Sequence, residues 1–131
     1  MTIAQEMYSI PAGETFIDGY DPVSYFDGDP KEGDQSIFVD IEGRKLLFST
    51  QENKARYEAN PERFFPKYGG WCAIAMVEDT FVIPNYKFYK IQDDRLFFFR
   101  VQGFFNGLTY WNRDPDKNQI LADGHYGRHF Y

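Results

Sequence analysis

The single cysteine of the chain, Cys72, is the residue whose type supports the widest chemistry. It directly follows Gly69-Gly70-Trp71, a setting in which a thiol would be open to a ligand. A nucleophilic thiol needs a base within hydrogen-bond reach, and the two histidines lie more than fifty residues further along the chain. A free cysteine also packs as a small buried hydrophobe. We therefore expect Cys72 in the core, and an enzyme that uses its thiol is the third of three functional hypotheses.

The two histidines, His125 and His129, are four residues apart. On a helix this spacing places both imidazoles on one face, a common arrangement for divalent metals. Gly124 and Gly127 argue against a stable helix there, and a segment that is exposed or docks on the core without a metal is the alternative. Zinc sites need three or four protein ligands. The predicted ligands for a transition metal such as copper or zinc are Cys72, His125 and His129.

The composition is unusually aromatic. Fourteen Phe, ten Tyr and two Trp make up 20% of 131 residues, and each buried ring removes roughly 150–250 Å² from water. Rings must therefore build the core and any pocket. The length is that of one domain. We predict an N-terminal arm over residues 1–14, where Pro11 and Gly13 interrupt any pattern, and a single domain over residues 15–131.

The charge pattern argues against two classes of partner. The formal net charge is −6 and basic residues are interspersed with acidic ones, whereas a nucleic-acid binder carries a basic face. The longest apolar runs, such as residues 96–99, are far shorter than the ~20 residues that cross a bilayer. We expect neither nucleic-acid binding nor membrane insertion. A lone cysteine and the lack of a signal-like opening segment predict a cytoplasmic location.

Alternating apolar residues predict two β-hairpins. The first pairs residues 36–41 with 44–48 around Glu42-Gly43, and the second pairs residues 88–91 with 95–101 around Asp93-Asp94. The adjacent acids are typical of a solvent-facing turn rather than of an acid/base pair.

The helix signals are short ones. Pro22 begins a turn through Phe26, and Ser49 with Glu52 matches a capping box for a helix that ends near Ala59. A further short helix follows through Phe65, and Pro115 divides residues 104–122 into two helices. The predicted fold class is α+β: a small antiparallel sheet built from hairpins, packed with several short helices in a single compact domain.

Four ordered blocks of the sequence resemble YHS-domain proteins. They are Asp18-Gly19-Tyr20-Asp21-Pro22-Val23-Ser24-Tyr25-Phe26, Phe48-Ser49-Thr50-Gln51-Glu52-Asn53, Asn60-Pro61-Glu62-Arg63-Phe64 and Tyr68-Gly69-Gly70-Trp71-Cys72-Ala73. The similarity is to the family's "DGYDPVAYF" branch and covers roughly residues 15–126. It implies a small α+β scaffold with an invaginated aromatic centre.

The chain departs from the better-known YHS domains at the positions where those domains carry cysteines. Here the three positions are Ser24, Ser49 and Asn53. Soft metals favour thiolate or imidazole, and neutral Ser and Asn are poor ligands for them. The resemblance therefore implies the scaffold more than the family's metal role.

The blocks that carry the resemblance predict one shared cavity with aromatic walls and a few polar tips, as small-ligand pockets have. Its predicted lining is Tyr20, Asp21, Tyr25, Tyr68, Trp71 and Cys72. The alternative is a hydrogen-bonded core in which tyrosine hydroxyls cap backbone groups and Asp21 caps the helix that begins at Pro22. The leading hypothesis is a binding module for a small ligand or metal ion, without catalysis. The second is a protein–protein interaction module, in which exposed aromatic residues pair two copies as a homodimer or dock a larger partner.

Overall fold

The structure, a computed structural model, describes residues 6–131 and confirms the predicted α+β class. The described residues form six α-helices and three two-stranded antiparallel sheets. The helices are α1 (Pro22–Phe26), α2 (Gln51–Ala59), α3 (Pro61–Phe64), α4 (Ala73–Val77), α5 (Gly107–Trp111) and α6 (Pro115–Phe130). The strands are β1 (Asp34–Ile41), β2 (Arg44–Phe48), β3 (Asn85–Gln92), β4 (Arg95–Phe99), β5 (Val101–Gln102) and β6 (Phe105–Asn106).

The chain divides into two compact units. One comprises residues 6–9, Lys67–Lys90 and Phe97–Tyr131, and we call it the Cys72 unit. The other comprises Ile10–Pro66 and Ile91–Leu96, and we call it the Asp21 unit. The predicted arm is thus divided, since residues 6–9 group with the Cys72 unit and residues 10–14 with the Asp21 unit.

The Asp21 unit is built on the β1–β2 hairpin. Ile41 pairs with Arg44 across a two-residue loop in which Glu42 and Gly43 both have positive φ, at 51° and 85°. Such a turn matches the right-handed twist of the paired strands. On β2, Leu46, Leu47 and Phe48 are all buried and supply much of this unit's apolar core.

The core of the Cys72 unit is centred on Trp111, which is fully buried. Its ring lies 5.2 Å from that of Phe97 and 5.5 Å from that of Phe99, centroid to centroid. Met76 and Ala122 are also fully buried in this cluster, so α4, β4, α5 and α6 all contribute to it. Aromatic rings therefore make up much of this core, as the composition predicts.

Two details of the helices correct the sequence-based predictions. The residue that caps α2 is Thr50, whose Oγ1 accepts from the Asn53 amide at 3.0 Å, and not Ser49. The last helix runs through Gly124 and Gly127 to Phe130. Both glycines have open space around them, and packing of the helix against α4 outweighs their low helix propensity.

Over residues 6–131, helices that combine the length and the apolarity required to cross a membrane are absent.

Candidate functional site

Asp21 is fully buried, and both oxygens of its carboxylate accept hydrogen bonds from neighbouring residues. Its Oδ1 accepts from the amides of Val23 and Ser24 at 2.8 and 3.3 Å, which caps α1 as the alternative prediction required. Its Oδ2 accepts from the Ser49 amide and hydroxyl at 2.9 and 2.8 Å and from Asn53 Nδ2 at 2.8 Å. Five donors in the described part of the chain therefore replace the water that burial removes.

The three positions at which the resemblance expects cysteines lie around this carboxylate. Ser49 and Asn53 donate to Asp21 directly, and the Ser24 hydroxyl donates to the Asp21 backbone carbonyl at 2.6 Å. The Ser24 hydroxyl also accepts from the Lys31 amide at 2.9 Å. These side chains belong to a polar cleft of about 620 Å³ in the Asp21 unit. The network joins α1 to the start of α2.

The two tyrosines of this block lie close to each other. Tyr25 is 1% exposed, and its ring centroid lies 6.4 Å from that of Tyr20. Tyr20 forms an isolated antiparallel bridge with Glu32. Tyr20, Asp21 and Tyr25 therefore belong together in the Asp21 unit.

Tyr68, Trp71 and Cys72 belong to the Cys72 unit. The Tyr68 hydroxyl donates to Asp123 Oδ1 at 2.7 Å, and Trp71 Nε1 donates to the Glu6 carbonyl at 2.9 Å. Both polar tips are thus satisfied within the unit. A single cavity that holds all six predicted residues remains a prediction.

The Gly69-Gly70 pair lets the N-terminal arm approach closely. Gly69 has φ 63°, and a Cβ there would collide with the Met7 carbonyl oxygen. A Cβ on Gly70, at φ 91°, would lie 2.6 Å from Ser9 Oγ. The Ser9 amide donates to the Gly69 carbonyl at 3.0 Å. The segment that approaches these two glycines is therefore the chain's own N-terminal arm.

Cys72 is held at the start of α4 by backbone contacts. Its amide donates to the Val82 carbonyl at 2.8 Å, and its Sγ accepts from the Arg100 amide at 3.1 Å. The residue is fully buried, as predicted. Burial raises the pKa of the Cys72 thiol, and the neighbouring backbone amides offset only part of that rise. The neutral thiol is therefore the form present at neutral pH, and it is a weak nucleophile and a weak metal ligand.

A cleft of about 330 Å³ lies beside this thiol. Its apolar wall includes Cys72, Ile74, Ala75, Val82, Phe105 and Tyr110. The rings of Phe105 and Tyr110 are stacked, with centroids 5.1 Å apart and planes 18° from parallel. Three polar residues, Glu78, Thr80 and Arg100, complete the lining. Such a cleft is suited to a small molecule.

Sequence reasoning finds Cys72 and misses the rest of this lining. One signal was available: Arg100 is a lone cation at the end of the apolar run 96–99. Glu78 and Thr80 follow α4 in a turn whose position depends on how α4 packs, and Phe105 and Tyr110 come together only because β6 leads directly into α5.

The two histidines connect α6 to α4 and to the turn that follows α4 by hydrogen bonds. His125 Nδ1 donates to the Met76 carbonyl at 2.9 Å, and His129 Nε2 lies 2.8 Å from Asp79 Oδ1. The hydrogen bond from His129 lowers the pKa of the Asp79 carboxyl. The two imidazoles thus share a helix face, as their spacing predicts, and each has its own protein partner.

No group of three or more His, Cys, Asp and Glu residues that would hold a metal ion occurs within residues 6–131. The chain was compared with protein-family models, with curated proteins and with solved structures, and none of the three comparisons found a match.

Proposed function

We propose that the chain is a small-molecule binding module whose ligand occupies the cleft beside Cys72. The observation that carries the proposal is the lining of that cleft: apolar and aromatic walls interrupted by three polar side chains. Its volume of about 330 Å³ falls within the range of small-ligand pockets, roughly 300–1,000 Å³. The YHS resemblance supports the same proposal, because it implies a small α+β scaffold with an aromatic centre.

Several contacts favour binding over catalysis. A thiol enzyme needs a base beside its nucleophile, and both histidines bond to Met76 and Asp79 instead. The raised pKa of the Cys72 thiol keeps it protonated. Ser49 and Asn53, at positions where related domains carry cysteines, donate to Asp21 and so satisfy a carboxylate rather than a metal. An organic ligand therefore suits this chain better than a metal ion.

The test is a thermal-shift screen of a fragment library with one cleft-filling variant. Ala75 lines the cleft, and Ala75→Leu adds volume there while keeping a good helix former on α4. Ala59→Leu, at the exposed end of α2, is the matched control. We expect fragments that raise the Tm of the wild type and of the Ala59→Leu variant to lose their effect on the Ala75→Leu variant. A library that stabilises no form, or all three equally, contradicts the proposal.

A second candidate function, contact with another copy of the chain, is favoured by Phe104. This side chain is fully exposed at the tip between β5 and β6, beside the partly exposed Phe105 and Tyr110. Aromatic residues are enriched where proteins meet. Light scattering over a concentration series tests it: Phe104→Asp should abolish self-association, whereas Ile120→Asp, an exposed position on α6, should not. A wild-type protein that stays monomeric rules this candidate out.

A further inference from the structure

The Cys72 cleft contains a positive charge without a counter-ion. Arg100 lines the cleft and is partly buried, and its guanidinium hydrogen-bonds to Gln102 Oε1 and lies 6.0 Å from the ring centroid of Phe105. In the described part of the chain no carboxylate lies within 4.0 Å of it. A guanidinium is built for bidentate binding of a carboxylate. The guanidinium of Arg100 is therefore available to bind the carboxylate of a ligand.

The same cleft contains a negative charge that does not meet Arg100. Glu78 lies just after α4 and lines the cleft, and the Thr80 hydroxyl donates to its backbone carbonyl at 3.2 Å. Across residues 6–131, no basic nitrogen lies within 4.0 Å of the Glu78 carboxylate. Arg100 and Glu78 thus line the same cleft without forming an ion pair, so a ligand that carries both a negative and a positive group has a partner for each.

The remainder of the lining suits a flat apolar body. Phe105 and Tyr110 form a stacked pair, and Ile74, Val82 and the neutral thiol of Cys72 complete the apolar wall. Aromatic rings bind other rings in offset or edge-to-face geometry. The wall also explains Gly107, where a Cβ would lie 2.6 Å from Ile74 Cγ2, because the start of α5 packs directly against this side of the cleft.

From this combination we infer that the ligand is a small zwitterion with an aromatic body, such as a free aromatic amino acid, whose carboxylate binds Arg100 and whose ammonium group binds Glu78. The inference rests on the proposed function and assigns its ligand class. One cation and one anion also disfavour polyphosphates, which need several cations, and simple fatty acids, which leave Glu78 facing a tail.

Four probes with the same ring separate the charges: free phenylalanine, 3-phenylpropanoate, 2-phenylethylammonium and neutral 2-phenylethanol. Isothermal titration calorimetry measures each against the wild type and the variants Arg100→Gln and Glu78→Gln. Arg128→Gln and Glu58→Gln, both at exposed helix positions, are the matched controls. Circular dichroism melts confirm that each variant is folded.

We expect phenylalanine to bind the wild type about tenfold tighter than either singly charged probe, the effect of one charge-assisted hydrogen bond. Arg100→Gln should weaken phenylalanine and phenylpropanoate but not phenylethylammonium, and Glu78→Gln should weaken phenylalanine and phenylethylammonium but not phenylpropanoate. Equal binding of all four probes, abolished by Ala75→Leu, overturns the zwitterion and leaves the binding proposal standing. Absence of binding by every probe, the neutral one included, overturns the aromatic zwitterion, and the outcome of the fragment screen then decides the binding proposal.

Discussion

Asp21 carries its carboxylate in a place that water does not reach, and the chain provides its solvation. Two of its five donors come from the first turn of α1 and three from Ser49 and Asn53. An ionised carboxylate in an apolar setting costs several kcal/mol unless such donors surround it. The network is therefore a structural anchor of the Asp21 unit, in which the polar side chains of Ser49 and Asn53 satisfy the buried carboxylate.

The variant Asp21→Asn should destabilise the protein by roughly 2–4 kcal/mol. The asparagine side chain has the same shape as the aspartate side chain, but its NH₂ group replaces one of the two oxygens. Because donors face both oxygens, this NH₂ group meets another donor in either orientation of the amide. Urea unfolding followed by circular dichroism measures the change. Asp29→Asn is the control. Asp29 is exposed, and its ion pair with Lys31, at 3.7 Å, is long and contributes little to stability. A stability of Asp21→Asn within about 0.5 kcal/mol of wild type contradicts the anchor role.

The glycines before Trp71 serve the chain's own arm, and a side chain there should displace it. We expect Gly69→Ala to cost about 1–3 kcal/mol, since alanine pays for the left-handed backbone and meets the Met7 carbonyl. Hydrogen exchange at the Ser9 amide, which donates to Gly69, should speed up. Gly124→Ala on α6 is the contrast: open space and a helical backbone predict a gain of about 0.5–1 kcal/mol. Equal effects of the two substitutions would refute this account.

The Cys72 thiol should react slowly in the native protein. It is fully buried and its pKa is raised by burial, so both access and thiolate fraction are low. We expect a disulfide reagent such as DTNB to label it at least a hundredfold faster in concentrated guanidinium chloride than in buffer. Native labelling within tenfold of the unfolded rate would reopen the thiol-enzyme hypothesis.

For single residues, the sequence predicts those contacts that form between neighbours in the chain. Asp21 before Pro22 indicates a cap, and the structure has one. It does not reveal that Ser49 and Asn53 reach the same carboxylate, because those contacts join positions 28 and 32 residues apart. Ser49 is drawn away from the cap of α2 for that reason, and Thr50 replaces it.

Between elements, an ion pair connects α1 and α2. Arg56 on α2 donates to both carboxylate oxygens of Asp27 at the end of α1, at 2.9 and 3.2 Å. The hydrogen bond from Arg56 lowers the pKa of the Asp27 carboxyl below its ordinary value. Side chains that are 36% and 51% exposed make this a screened interaction.

The pH dependence of this ion pair follows from the direction of the shift. A lowered folded-state pKa stabilises the protein above the unfolded value near pH 4, and that contribution disappears as pH falls through the folded value. We expect Asp27→Asn to cost less than about 1 kcal/mol at pH 6 and progressively less as the pH falls below about 4. Urea midpoints of both proteins from pH 2 to pH 6 provide the measurement. A difference that persists at the acid end rules out this pair as its source.

Element boundaries show where sequence patterns are sufficient. Both hairpin turns and the C-terminal end of α2 follow from local residues, with Asp93 and Asp94 in the left-handed conformation that a tight turn needs. The end of the C-terminal helix α6 does not follow from local residues. Two glycines predict its end near Ala122, and only contacts with α4, including those of His125 and His129, keep it helical to Phe130.

For the molecule as a whole, the α+β class and the aromatic core follow from composition and periodicity, whereas the division into two units does not. Which strand or arm residue groups with which unit depends on contacts between distant positions, as when residues 6–9 join the Cys72 unit while residues 10–14 join the other. The cleft beside Cys72 is missed for the same reason, since its lining extends from residue 72 to residue 110.

The positions of the two tryptophans give the molecule a built-in reporter. Trp71 and Trp111 are the chain's only indoles, and both belong to the Cys72 unit, whereas the Asp21 unit contains tyrosines but no indole. Intrinsic emission excited at long wavelength therefore follows the melting of one unit alone, while the far-ultraviolet signal follows both. Coincidence of the two curves would reveal a single cooperative transition, and their separation would reveal two.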